Sequence, residues 1–273
     1  MGGGLSWWGK LAGGAFGFML GGPLGALLGV VLGHNFDRGL RRLPGVEVDT
    51  AADRERVQTA FFTATFAVMG RVAKADGRVS EQEIRMAETV MSEMSLAPEM
   101  RRAAIGLFNQ GKSAGFDLDA VLEQFRRECH GRTTLLGMFI EIQLQAAYAD
   151  GTLDPAEDSL LAHICARLGV SPQEYRRLER MVRAERGFAG DAGARRPRPS
   201  GPTLDEAYAV LGLDASASDA ELKRAYRRLL SQHHPDKLVS KGLPEEMMKV
   251  AAQKTHEIRQ AYERVRAARG AHG

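Results

Sequence analysis

The feature that most constrains this chain is an uncharged run of 23 residues from Leu11 to Gly33. As a helix, such a run can cross a hydrocarbon core of about 30 Å. Trp7 and Trp8 precede it, where the aromatic belt of a membrane interface would lie. A cleaved signal peptide is the main alternative, but the run is too long and no small-x-small cleavage pattern follows it. The sequence therefore predicts a single-pass transmembrane anchor at 11–33 behind a short tail at 1–10.

Basic residues around this segment are unevenly distributed. Arg38, Arg41 and Arg42 follow the apolar run, whereas only Lys10 and the amino terminus precede it. Because cytoplasmic flanks carry an excess of Lys and Arg, this asymmetry predicts cytoplasmic carboxyl-terminal domains and a periplasmic tail.

Glycines recur at every fourth position through the predicted anchor. Small residues at this spacing let two membrane helices approach closely, although glycine is also common in membrane helices generally. Steps of four residues drift by about 40° around a helix, so two such rows would cross near their middle. We therefore expect a homodimer whose helix-packing residues are Gly13, Gly17, Gly21, Gly25, Gly29 and Gly33.

Residues 50–185 have helical periodicity, and they contain an internal repeat. An Ala-Asp-Gly sequence at 75–77 recurs at 149–151, an offset of 74 residues, and a helix-start signal follows each copy. This pattern predicts a helical domain in which each copy consists of a helix, a break at Asp-Gly and a second helix. Further helices are predicted at 97–108, 117–130, 133–149 and 171–185.

The paired Ala-Asp-Gly breaks resemble those of the TerB-like family, which is associated with tellurite resistance. That resemblance raises the question of a metal site at four acidic residues, Asp76, Glu83, Asp150 and Glu157. A calcium loop of the EF-hand type needs more oxygen ligands than this spacing provides. We therefore interpret the four as cap and turn residues and expect no metal, with metal binding as the alternative.

A segment rich in Gly, Ala, Arg and Pro follows at 186–202 and is predicted to be a flexible linker. Its basic residues allow contact with anionic lipid headgroups as an alternative to a simple spacer.

Residues 203–273 have the pattern of a helical hairpin. Capping boxes beginning at Thr203 and Ser218 predict the starts of two helices. In the second helix, an apolar stripe runs from Leu222 to Leu230. The basic residues Lys223, Arg224, Arg227 and Arg228 fall on the opposite face, at about 100° per residue.

This basic helix should end before Pro235, because proline disfavours helical backbone in the residue that precedes it. We expect a polar loop through Lys237 and Lys241, with Pro244 in the first turn of the next helix. One side of that helix is apolar and carries Met247, Ala251, Ile258, Ala261, Tyr262 and Val265. The tripeptide His234, Pro235 and Asp236 would then lie exposed at the tip of the hairpin.

This region resembles the J domain of the DnaJ family. The matching residues are Ala207, Tyr208, Leu211 and Gly212 in helix I, Leu222, Lys223, Ala225 and Tyr226 in helix II, the tripeptide, and Ile258, Ala261 and Tyr262 in helix III. The resemblance implies that the tripeptide and the basic face contact a DnaK-type chaperone ATPase and speed its ATP hydrolysis. The zinc repeats and the Gly/Phe-rich segment of full-length DnaJ proteins are missing from this sequence.

Composition excludes several other classes of protein. A net charge of +3 is too small to indicate nucleic-acid binding, and we expect no nucleic-acid partner. The two cysteines form no C-x-x-C pair, which argues against a zinc module. No catalytic triad, phosphate-binding glycine loop or His-rich motif is evident, so we expect neither an enzyme nor a cofactor.

The sequence therefore predicts an all-α chain made of an anchor, a TerB-like domain, a linker and a J domain. This order resembles membrane-anchored DnaJ-like co-chaperones of the bacterial inner membrane, a group linked to envelope and capsule signalling. Two alternatives keep the helical domain as the active part: a membrane scaffold for which the J domain is only a tether, and a sensor gated by metal binding.

Overall fold

The computed structural model describes residues 22–27, 29, 50–75, 77, 81–93, 96–190, 203–244 and 247–270. Every regular element within these ranges is a helix, which confirms the predicted all-α class. Some predicted site residues lie outside the described residues: Gly13, Gly17, Gly21, Gly33 and Asp76. The side chains of Glu83 and Asp150 also lie outside them.

Within the described residues, seven α-helices build the central domain, and a 3₁₀ turn at Tyr148–Asp150 follows the fifth. They are α1 (Thr50–Val72), α2 (Glu81–Glu93), α3 (Pro98–Gly111), α4 (Leu118–Glu128), α5 (Thr133–Ala147), α6 (Pro155–Leu168) and α7 (Pro172–Gly190). The last of these is longer than predicted, because residues 186–190 continue the helix instead of beginning the linker.

The part of the carboxyl-terminal domain that the structure describes contains four α-helices: α8 (Leu204–Val210), α9 (Asp219–His233), α10 (Pro235–Ser240) and α11 (Met248–Gly270). The predicted loop after the tripeptide is therefore wrong in part, since a short helix occupies 235–240. Pro235 lies at its first position, where its fixed φ favours a helix and its missing N–H costs nothing. Only the end of the predicted loop, from Lys241, is non-helical.

Three capping boxes begin helices where the sequence indicates them. The side chains of Asp154, Thr203 and Ser218 accept hydrogen bonds from backbone N–H groups of α6, α8 and α9. In each case, the glutamate three residues later accepts a hydrogen bond from the backbone N–H of the cap residue. These reciprocal bonds satisfy donors that a helix start leaves unpaired.

The core of the central domain is organised around the crossing of α1 and α3. Gly70 and Gly111 lie at the crossing, so the two backbones touch directly. A Cβ on Gly70 would overlap the carbonyl oxygen of Phe108, and one on Gly111 would overlap that of Ala67. Elsewhere in the same core, the ring centroid of Phe125 lies 5.9 Å from that of Phe61 and 4.7 Å from that of Phe139.

Part of the predicted anchor segment is described, and it contacts the central domain. Residues 22–27 are helical, and the backbone N–H of Leu24 donates to Gln124 Oε1 at 2.8 Å. The side chain of Leu24 is buried in the central core. Among the described helices, none combines the length and hydropathy that a membrane crossing requires.

The carboxyl-terminal domain packs against the central domain through two apolar clusters. In the first, Met181 and Ala184 of α7 join the core between α8, α9 and α11. In the second, four residues that follow the tripeptide are buried in the central core: Leu238, Leu243, Met247 and Ala251. The two domains therefore share their cores along a seam, which the sequence pattern did not indicate.

Candidate partner-binding site

The tripeptide lies at the turn between α9 and α10. His234 ends α9 in an extended conformation, with φ of −64° and ψ of 122°, as expected for a residue before proline. The side chain of His234 is 49% exposed and that of Asp236 is 81% exposed. His234 Nδ1 lies 4.0 Å from Asp236 Oδ2. The two polar groups are therefore close together, and both are exposed to solvent.

The predicted basic face of α9 is also exposed. Lys223, Arg224, Arg227 and Arg228 all have exposed side chains, while Leu222, Ala225 and Leu229 on the opposite side are buried. Within the part of the chain that the structure describes, Lys223 and Arg227 form no ion pair, so their charges are available to a partner. Partial burial and then the charge of Arg177 lower the pKa of Arg228 from its ordinary value.

Contacts inside the carboxyl-terminal domain hold the two long helices together near the tripeptide. Thr255 Oγ1 on α11 donates to the carbonyl oxygen of His233 at 3.0 Å. The rings of Tyr226 and Tyr262 stack with centroids 4.0 Å apart. Lys237 Nζ donates to Ser231 Oγ at 2.7 Å, which joins α10 to the end of α9. The tripeptide therefore projects from a braced hairpin.

Behind the tripeptide lies a cluster of buried charges that bridges the two domains. Lys254 Nζ on α11 lies 2.9 Å from Glu141 Oε2 on α5 and also contacts Glu185 of α7. His233 Nε2 lies 3.8 Å from Glu141 Oε1. All four side chains are at most 7% exposed. A buried cation is tolerated only with paired charges, so Lys254 requires the central domain in this arrangement.

Burial and neighbouring charges shift the pKa values of the two buried glutamates in opposite directions. Burial acts to raise the pKa of Glu141, but the charges of Lys254 and His233 hold that pKa below its ordinary value. Burial raises the pKa of Glu185 to about 7, despite the attraction of Lys254. Burial also lowers the pKa of His233, which favours its neutral form. The raised pKa of Glu185 therefore allows the cluster to change charge near neutral pH.

Replacing Glu185 with Gln should remove one source of pH dependence from the stability of the chain. A carboxyl whose folded pKa is raised stabilises the fold below its unfolded value of 4.5, and this stabilisation is lost as pH rises toward 7. The free energy of unfolding of the wild type should therefore fall, relative to that of Glu185→Gln, by on the order of 3 kcal/mol across that window. Urea unfolding of both proteins at pH 4.5, 6 and 8 measures the difference.

The difference between the two proteins reports the titration of Glu185 together with its effect on Glu141 and Lys254, because groups outside the cluster titrate equally in both proteins. A constant difference in unfolding free energy from pH 4.5 to 8 would contradict the raised pKa of Glu185.

Of the four acidic residues considered for metal, the structure describes the side chain of Glu157 alone. Glu157 Oε2 accepts from the backbone N–H of Asp154 at 3.1 Å, which confirms its interpretation as a cap residue. The repeated break is confirmed in backbone terms, since Gly77 and Gly151 have φ values of 88° and 102°, where glycine is favoured. Among the described residues, no group of three or more His, Cys, Asp and Glu side chains is arranged to hold a metal ion.

Comparison with known families matches three successive parts of the chain. Residues 1–43 match the model of the co-chaperone DjlA transmembrane domain. Residues 62–180 match tellurite resistance protein TerB, and residues 206–268 match the DnaJ domain. The curated co-chaperone protein DjlA of Coxiella burnetii is 46% identical over 270 residues, which cover 97% of this chain and 99% of the relative.

The chain belongs to the DjlA family of co-chaperones. The DjlA proteins of Photobacterium profundum and Escherichia coli strain K12 are 45% and 41% identical, each covering at least 96% of this chain and 99% of the relative. No solved structure matches the chain significantly. The predicted TerB-like domain, J domain and membrane anchor are confirmed as the parts of a DjlA chain, while the roles of individual residues stay predictions.

The buried cluster behind the tripeptide is a feature of this chain that the sequence analysis did not predict. One signal was available, because Lys254 follows Ala251 by three residues and precedes Ile258 by four, inside the apolar stripe of α11. A charged residue at such a position needs a buried partner. The partners could not be identified from sequence, since Glu185 lies 69 residues away.

Proposed function

We propose that this chain recruits a DnaK-type chaperone ATPase to the cytoplasmic face of the bacterial inner membrane and stimulates its ATP hydrolysis. The observation that supports this function best is the exposed tripeptide beside an exposed basic helix face, in a chain whose relatives are co-chaperones. The chain acts as a regulator of another protein's ATPase and performs no catalysis of its own.

In this mechanism, the two parts of the site have different roles. The basic residues of α9 steer the encounter with an acidic surface of the ATPase, a long-range effect that salt screens. They are Lys223, Arg224, Arg227 and Arg228. His234 and Asp236 make the short-range contacts, and Pro235 restricts the backbone between them. The test is ATP hydrolysis by a DnaK-type ATPase in a single turnover, with the full chain in lipid nanodiscs. No acceleration by the wild-type chain would contradict the function.

The topology of the anchor belongs to the same proposal, in which residues 22–27 leave their contact with Gln124 and cross the bilayer. The excess of arginine after residue 33 supports a periplasmic amino terminus and cytoplasmic carboxyl-terminal domains. Protease added to spheroplasts should leave residues 50–270 intact until the membrane is permeabilised. Digestion of those domains in intact spheroplasts would contradict this orientation.

We also propose that the anchor forms a homodimer through its glycine row. Gly21→Leu or Gly25→Leu should weaken self-association, because the added side chain separates the two backbones near the expected crossing. A membrane two-hybrid or FRET assay of residues 1–43 measures the change. Ala26→Leu, on a neighbouring face of the same helix, is the matched control. Equal self-association of the wild type and both glycine variants would remove the dimer from the proposal.

The resemblance to membrane-anchored DnaJ-like co-chaperones extends the proposal to envelope and capsule signalling. A reporter of envelope stress in a strain that lacks this protein would test that extension. The two alternatives, a scaffold and a metal-responsive sensor, make different predictions about the J domain. Charge reversal at Arg227 and Arg228 would leave a pure scaffold functional. Addition or chelation of a divalent metal would change ATPase stimulation only if the central domain is a sensor.

A further inference from the structure

The chain is buried immediately before and after the tripeptide. His233 is 5% exposed and Leu238 is 0% exposed, although His234 and Asp236 between them face solvent. His233 lies against Glu141 of the central domain, and Leu238 belongs to the central apolar cluster. The exposed tripeptide is therefore fixed at both ends by a domain that lies outside the J-domain match.

The segment that follows α10 extends these contacts. Lys241 Nζ donates to Thr134 Oγ1 at the start of α5, at 3.1 Å. Gln58 Nε2 on α1 donates to the carbonyl oxygen of Leu243 at 3.4 Å. Two helices of the central domain thus hold the segment that returns from the tripeptide to α11.

Between these two contacts, Gly242 lies directly against α1. Its φ is 101°, a conformation that favours glycine, and a Cβ at this position would lie 2.6 Å from Val57 Cγ1. The absence of a side chain at Gly242 is therefore required by the turn and also by the approach of the central domain. The requirement for space arises from Val57 of the central domain, and not from any residue of the carboxyl-terminal domain.

The cluster at Lys254 completes the seam on the other side of the tripeptide. Lys254 shares a buried network with Glu141 and Glu185, and separating the domains would break both ion pairs at once. Loss of one partner from a buried pair is strongly unfavourable, so the docked arrangement is well defined.

We propose that the TerB-like domain of this chain positions His234–Asp236 for the ATPase by clamping the segments on both sides of the tripeptide. Gly242, Lys254 and Glu141 are then positioning residues that do not touch the ATPase. Pre-ordering of a binding loop strengthens association because less conformational freedom is lost on binding. The inference rests on the proposed function and adds to it a role for the central domain.

Gly242→Ala tests this proposal in the full chain. The new methyl group would push the segment away from α1 and leave the tripeptide in its competent arrangement for a smaller fraction of the time. Apparent affinity falls in proportion to that fraction, whereas the rate of the bound complex does not. We expect the concentration for half-maximal stimulation of a DnaK-type ATPase to rise about tenfold, with an unchanged maximal rate.

Gly151→Ala is the matched control, because Gly151 has nearly the same φ, 102°, and no atom within 4 Å of the added Cβ. It imposes the same backbone strain without a contact at the seam, so its half-maximal concentration should match that of the wild type. Adding Val57→Ala to Gly242→Ala removes the nearest opposing atom and should restore most of the apparent affinity. Hydrogen exchange at the amides of Leu238 and Leu243 should be faster in Gly242→Ala alone.

The outcomes separate this inference from the function on which it rests. Failure of the wild-type chain to stimulate the ATPase would overturn both. A wild type that stimulates, together with equal half-maximal concentrations for Gly242→Ala and Gly151→Ala, would overturn the inference alone. A lower maximal rate with no recovery on adding Val57→Ala would also overturn it, since unfolding, and not positioning, would then explain the loss.

Discussion

Replacing His234 with Gln should abolish stimulation of a DnaK-type ATPase while the chain keeps its fold. The side chain is 49% exposed, so its replacement should change the free energy of unfolding by no more than about 0.5 kcal/mol. Its expected role is contact with the ATPase, beside Asp236. Single-turnover ATP hydrolysis with the full chain in nanodiscs measures the loss, and circular dichroism with urea unfolding measures the fold.

Charge reversal of the basic face provides a contrasting control for this prediction. Arg227→Glu with Arg228→Glu should slow stimulation most at low ionic strength, because long-range steering is screened by salt. The defect of His234→Gln should be the same at low and high salt. Full stimulation by a folded His234→Gln chain would refute the co-chaperone mechanism, and loss of activity through unfolding would refute a contact role for His234.

Replacing Gly70 or Gly111 with Ala should destabilise the central domain more than other single methyl additions. At these positions, the added Cβ would overlap backbone carbonyl oxygens of the facing helix, which cannot move independently of that helix. Helices α1 and α3 would have to separate, and the packing between them would loosen. Overpacking of this kind costs about 3 kcal/mol or more when backbone must move. Urea or thermal unfolding of residues 50–270 measures the effect.

Gly137→Ala is the matched control, since Gly137 also lies within a helix but has no atom within 4 Å of an added Cβ. Alanine is the better helix former by about 1 kcal/mol, so this variant should be as stable as the wild type or more stable. Similar unfolding free energies for Gly70→Ala, Gly111→Ala and Gly137→Ala would show that the two helices do not cross as closely as described.

The seam distinguishes this protein from one in which the J domain is attached only by a flexible tether. The linker at 191–202 lies outside the described residues, but its two neighbouring domains are joined by the Lys254 cluster and by buried apolar side chains. In the proposed arrangement, the orientation of the tripeptide is therefore set by the central domain. In the proposed function, the ATPase meets a J domain that is held in one orientation.

Local signals in the sequence were sufficient for much of this structure. The starts of α6, α8 and α9 followed from capping residues three positions apart, and the exposed basic face of α9 followed from helical periodicity. The J-domain resemblance depended on residues within one hairpin. Each of these features involves groups that lie a few residues apart along the chain. Both interacting partners can therefore be identified from the local sequence alone.

Other features were decided only by the tertiary structure. The short helix after the tripeptide was predicted to be a loop, because its 6 residues are too few to show a helical period. The requirement for glycine at the crossing of α1 and α3 depends on which helix faces each position. The docking of the J domain depends on partners far apart in the chain, such as Gln58 and Leu243, 185 residues apart. Periodicity shows that a surface is apolar or that Lys254 needs a partner, but the identity of that partner is decided when the chain packs.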